Sequence, residues 1–209
     1  MDTRIGFCFA ATTMLLVLAD TAAAAAEEFE SRTTSIAEKA CKTVSRLRDG
    51  MSRLVAARVC PGRGGYVVLV SEDDLREVLS VGKTAAAASK EPAATQSFGA
   101  FNGYEDKVEW RSVKAARAPF ALIANWYLDD QENLDKTGRP IAQHMLVVFR
   151  LPPGPVCKVA VVDLKANPDA QALARKAADE IARGFKCPTD KLAIVGQRGR
   201  TTEMLFPKP

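Results

Sequence analysis

Four of the five cysteines, Cys41, Cys60, Cys157 and Cys187, stand in two couples far apart along the chain, and they constrain the fold more than any other feature. An even set in an exported chain reads as disulfides, because an oxidising compartment lets such bonds persist. Four cysteines allow three connectivities, and the residues between them favour one. Pro155 to Leu164 reads as a buried strand, β-branched at Val156, Val159, Val161 and Val162. Asn167-Pro168-Asp169 then starts a helix, with Asn167 as N-cap and Pro168 at the first helical position. Leu173, Ala174, Ala177, Ala178, Ile181, Ala182 and Phe185 share one face of that helix, and Gly184 marks its end. About seven strand residues cover roughly 22 Å at ~3.3 Å each, and some 15 helical residues return about the same distance at ~1.5 Å each. Strand out and helix back bring Cys187 beside Cys157.

Cys41 and Cys60 are left to each other. Their midpoint falls between Gly50 and Met51, beside the turn signal Asp49-Gly50. A hairpin with Asp49 to Ser52 as its loop sets the two cysteines opposite one another. The same stretch from Thr34 to Arg48 also fits a helix through Ile36, Ala37, Ala40, Val44 and Leu47. Periodicity alone does not separate the two. In the chain-entropy account, closing a loop of this length stabilises by roughly 3 kcal/mol.

The N terminus carries an address. Arg4 precedes an apolar or small run from Ile5 to Leu18, and Ala22 to Ala26 end against Glu27. Basic start, apolar stretch and small-residue site are the three parts of a secretory signal peptide. The run is shorter than the ~20 residues that span a bilayer. A retained N-terminal anchor is the competing reading. Cys8 has no lipobox before it. The expected organisation is a signal peptide over 1–26 and a single mature domain over 27–209, ordered over about 38–196, with the alanine ladder leaving the cleaved bond open by a few residues. The expected location is periplasmic or secreted, with no membrane span after cleavage. The mature chain has 28 basic and 23 acidic side chains, a net charge of +5, too mild to imply nucleic-acid binding.

The rest reads as strands: Tyr66 to Val70, Arg76 to Val81, Lys107 to Lys114, Pro119 to Leu128 and Ala142 to Leu151. Ser71 to Asp74 and Asp129 to Arg139 read as turns, Thr84 to Gln96 as an exposed loop broken by Pro92, and Leu192 to Pro209 as a tail with one edge strand. The architecture this implies is α+β: a mostly antiparallel sheet with a C-terminal amphipathic helix packed on one face, stapled by two disulfides.

A resemblance accompanies this reading. Cys60 with Gly65-Tyr66-Val67, Glu72-Asp73-Asp74-Leu75-Arg76, Val81-Gly82, Phe101-Asn102, Glu109-Trp110-Arg111, Pro119-Phe120-Ala121 and Leu146-Val147-Val148 form a series. It continues through Cys157-Lys158-Val159-Ala160-Val161-Val162-Asp163, Asn167-Pro168-Asp169-Ala170 and Ala174-Arg175. The series resembles a family of small exported bacterial proteins of uncharacterised function. The resemblance implies export, two disulfides and one domain, and no reaction. Where this chain has Lys158 the family pattern often has histidine, so a histidine role there does not carry over.

Composition excludes more than it names. At 47% hydrophobic and 26% charged, the chain is neither a disordered tail nor a multi-span membrane protein. A single histidine, His144, rules out His-cluster metal sites, and with all mature cysteines in disulfides no thiolate nucleophile remains. Gly62-Arg63-Gly64-Gly65 lacks the Lys-Ser/Thr pair of a phosphate loop. Asp129, Asp130, Glu132 and Asp135 lack calcium-loop order and read as a solvated hairpin tip. Trp110, Trp126 and Tyr127 alternate with polar residues and read as core. No catalytic, cofactor-binding or metal residue is assigned. The expected function is a non-catalytic periplasmic binding or interaction module for a protein or envelope ligand. The alternative is a small carboxylate-dependent hydrolase with His144 as helper. The loops Gly62 to Gly65 and Phe98 to Tyr104 are the surfaces to examine first.

Overall fold

The computed structural model describes residues 27–47, 54–114 and 116–205. The expected signal peptide and the Asp49 to Ser52 loop lie outside the described residues. Ten strands dominate: β1 (Phe29–Ser35), β2 (Lys42–Leu47), β3 (Leu54–Pro61), β4 (Val67–Asp73), β5 (Arg76–Gly82), β6 (Asn102–Val113), β7 (Ala121–Leu134), β8 (Pro140–Arg150), β9 (Cys157–Asp163) and β10 (Ala193–Ile194). Three short helices accompany them, α1 (Ala85–Ala88), α2 (Ala170–Ala177) and α3 (Arg200–Leu205), and α2 runs on through a wider turn over Ala178–Ala182.

The strands lie in the order β10-β9-β8-β7-β6-β5-β4-β3-β2, with β1 antiparallel to β6. The joint between β5 and β6 is one parallel pair, Arg76 opposite Asn102. Beyond it, from Lys107 onward, β6 pairs with β1 instead. The sheet folds over at this joint. Val68, Val70, Leu79 and Val81 of β4 and β5 share one core with Trp110, Leu122, Trp126, Met145, Val147 and Phe149 of β6–β8. The opposite face of β6–β9 packs Ile123, Leu146, Val148, Ala160 and Val162 against Ala170, Ala174, Ala177, Ala178 and Ala182. Small alanines let the helix backbone lie close to the strands.

The expected fold class is overturned. The sheet is mixed, because β5–β6 and β9–β10 are parallel, and the helical segment is not C-terminal, because β10 and α3 follow it. Alternation tells which face a residue takes but not the direction of its neighbour. Asn167 is also not a cap. Its amide donates to the Asp163 and Gln197 carbonyls, 2.9 Å each, and accepts from the Gln197 N–H, which ties the tail to the sheet.

Elsewhere the boundaries move. Residues 42–47 form a hairpin arm, with Lys42 opposite Val59, so Cys41 faces Cys60 and the helix alternative is closed. The Ser71 to Asp74 turn shrinks to Asp74-Leu75, both left-handed at φ 53° and 58°, which matches the strand twist of a two-residue hairpin. Thr84 caps α1 by accepting from the Ala87 N–H, so the expected loop begins with a helical turn. Strands β7 and β8 extend the hairpin to Leu134 and Pro140. Regular structure runs from Phe29 to Leu205, beyond 38–196 at both ends. Among the described residues no helix is long and apolar enough to cross a membrane.

Candidate functional site

Along β9 the alternation breaks once. Val148 lies opposite Ala160 and Phe149 opposite Lys158, so Val159 has no partner across the pair. This bulge puts Val159 and Ala160 on the same, helix-facing side and reverses every residue before them. Cys157 therefore faces the helical layer, where it is bonded to Cys187. Lys158 turns into the inner face of the folded sheet, where Trp126 is fully buried.

Lys158 is 6% exposed. Its ammonium lies 3.9 Å from the centre of the Phe98 ring and 3.9 Å from that of Trp126. Nζ donates to the Gln96 carbonyl, while the Gln96 side-chain oxygen accepts the Lys158 backbone N–H at 3.1 Å. No carboxylate among the described residues pairs with it. Two cation–π contacts contribute roughly 0.5–2 kcal/mol each, against a desolvation penalty of several kcal/mol for a buried ion. The penalty wins, and burial pulls the Lys158 pKa well below the ordinary lysine range.

The segment 91–101 builds the cage. Ala93 N–H donates to the Val156 carbonyl and Glu91 accepts from the Val156 N–H, so this segment runs beside the start of β9. Its far end is pinned by Asn102, whose Oδ1 accepts from Trp126 Nε1 at 2.8 Å and whose Nδ2 donates to the Ala100 carbonyl at 2.8 Å. Phe98 is held between these anchors and stacks edgewise on Trp126, with centroids 4.4 Å apart. Above Lys158 opens a cleft of about 270 Å³. Thr95, Gln96 and Ser97 form one wall, and Phe185, Pro188, Asp190 and Leu192 the other. A larger groove of about 540 Å³ follows β10 past Lys191 and Arg198 but holds no buried polar side chain.

The residues singled out from sequence fall elsewhere, with two exceptions. Phe98 of the Phe98 to Tyr104 loop enters the cage, and so does Trp126, expected in the core. His144 lies on β8 with Nδ1 3.4 Å from Asn125 Oδ1 and 3.7 Å from Glu105 Oε1, and no serine or thiol is among its partners. The acidic turn is not a solvated tip throughout. Asp130 is 1% exposed and receives two 2.6 Å bonds from Arg200, which, opposed by burial, hold its pKa at about 2. Gly64 and Gly65 take φ of 61° and 75° in a turn closed by Lys83 on the Gly64 carbonyl. Trp110 is fully buried, while Tyr127 is half-buried on β7. Among the described residues no cluster of His, Cys, Asp or Glu could hold a metal ion. Lys158 itself is legible only as a lone charge inside the apolar run from Val156 to Val162.

No protein-family model, curated protein or solved structure matches this chain.

Proposed function

We propose that the protein is an exported, non-catalytic binding module that works in the periplasm or outside the cell, and that the cleft over Lys158 is its binding site. The observation that carries the reading is a buried lysine with no carboxylate partner among the described residues, at the floor of a cleft with mixed polar and aromatic walls. Two disulfides are compatible with an oxidising compartment. Of the buried carboxylates, Glu109 and Asp130 are each held by an arginine and Asp163 by the Ala166 and Thr201 backbone N–H groups, which favours binding over carboxylate hydrolysis.

The test expresses the full chain in a host with a periplasm and purifies the exported product. N-terminal sequencing is expected to begin at Glu27. Small-molecule fractions of periplasmic extract are expected to raise the melting temperature of this protein and leave Lys158→Met unmoved. Equal stabilisation of both proteins, or turnover of glycan or ester substrates that is lost in Asp190→Ala, overturns the reading.

A further inference from the structure

We propose that the Lys158 cleft takes a small organic monoanion, a carboxylate on a compact apolar body, whose charge meets the Lys158 ammonium between Phe98 and Trp126. This rests on the cleft being the binding site. The cage meets the ammonium with two ring faces and one backbone carbonyl, and what it lacks is an anion. A ligand carboxylate supplies that anion beside a side chain that is 6% exposed, where a charge-assisted bond is strong. The walls are apolar at Phe98, Phe185 and Leu192, which suits a body that buries without hydrogen bonds. A cleft of about 270 Å³ lies just below the range that accepts drug-sized ligands, so the body is no larger than about one aromatic ring.

Asp190 decides between one negative charge and two. It lines the mouth of the cleft, with one carboxylate oxygen accepting the Lys186 N–H at 2.8 Å. A monoanion balances Lys158, whereas a second ligand charge is left facing Asp190. Phe98 is half-buried and sits outside regular structure, so it is the wall that makes way.

The experiment is calorimetric titration of the full exported protein with benzoate, with its neutral isostere benzamide, and with inorganic phosphate, followed in parallel by tryptophan emission from Trp126 in a Trp110→Phe background. Benzoate is expected to bind roughly tenfold or more tightly than benzamide, and to shift Trp126 emission. Lys158→Met is expected to erase the preference. Ser97→Trp, an exposed rim change that leaves Lys158 in place, is expected to block the cleft and serves should the Met variant fail to fold. Benzamide binding as tightly as benzoate overturns the anion while leaving the cleft as a site. Phosphate binding as tightly as benzoate overturns the monoanion. If neither organic probe binds, the inference fails. If the extract fractions also stabilise Lys158→Met as they do the parent, the cleft reading fails with it.

Discussion

Two buried cationic regions lie on opposite faces of β6–β9, and they are held in opposite ways. On the helix side, Arg111 donates to Asp179 at 2.5 and 3.0 Å and to Ser31 at 2.9 Å. Beside it Glu109 accepts from Arg175 at 2.7 Å, from Gln171 at 2.6 Å and from Ser31. Burial pushes the Glu109 carboxyl up, but the bonds from Arg175 and Ser31 outweigh it and leave the pKa below the ordinary value. Every charge there has a counter-charge from another element, so the network locks β1, β6 and α2 together. On the inner side, Lys158 has aromatic rings and a carbonyl but no counter-charge among the described residues. The first region reads as structure. The second keeps an unmet electrostatic demand, and a binding site is where such a demand is useful.

The largest test removes the bridge beside both regions. Replacing Cys157 and Cys187 with alanine is expected to cost about 4 kcal/mol for a closed loop of this length, read by urea unfolding. A loss below about 1 kcal/mol would show that strand and helix stay together without it. Next, Glu109→Ala strips the counter-charge from the helix-side network and is expected to destabilise by about 3 kcal/mol. A neutral result would erase the contrast between the two faces. Lys158→Met, in contrast, removes a buried cation that lacks a carboxylate and fills its space, so stability is expected to rise by about 1 kcal/mol. A fall of that size would mean the cage holds the fold together.

The smallest effect is in pH. The Lys158 pKa is lowered on folding, so between the folded value and the ordinary 10.5 the unfolded chain holds more protons, and stability rises with pH through that window. The gap between the parent and Lys158→Met is expected to narrow as pH climbs there. Glu109 has the same sign in a lower window, since its pKa is lowered too. Its contribution is present above the ordinary 4.5 and is lost as pH falls. Guanidine titrations at several pH values, comparing each variant with its parent, read both slopes. Parallel curves for the parent and Lys158→Met would break the comparison.

Much of the local structure was legible. The symmetry of the chain about Gly50–Met51 sets Cys41 opposite Cys60, and the structure pairs Lys42 with Val59 on that register. The apolar runs around Val68, Ile123, Val147 and Val161 all lie in strands, since alternation and β-branching act within a few residues. The site was less legible. Phe98 lay in a loop marked for examination, but Lys158 stood in an apolar strand whose alternation, read straight through, sends it to the helix face.

The sequence by itself determined that most of the segments between Tyr66 and Leu164 extend, where the helix face lies and how the cysteines couple, because spacing along the chain carries those. Only the tertiary structure decided that β5 pairs with β6, and β9 with β10, in parallel and that residues 42–47 are a hairpin arm. It also decided that β9 bulges at Val159 to aim Lys158 at Phe98 and Trp126. Those outcomes depend on partners remote in sequence, as Gln96 is from Lys158, and a backbone group takes whichever partner the packed neighbours leave in reach.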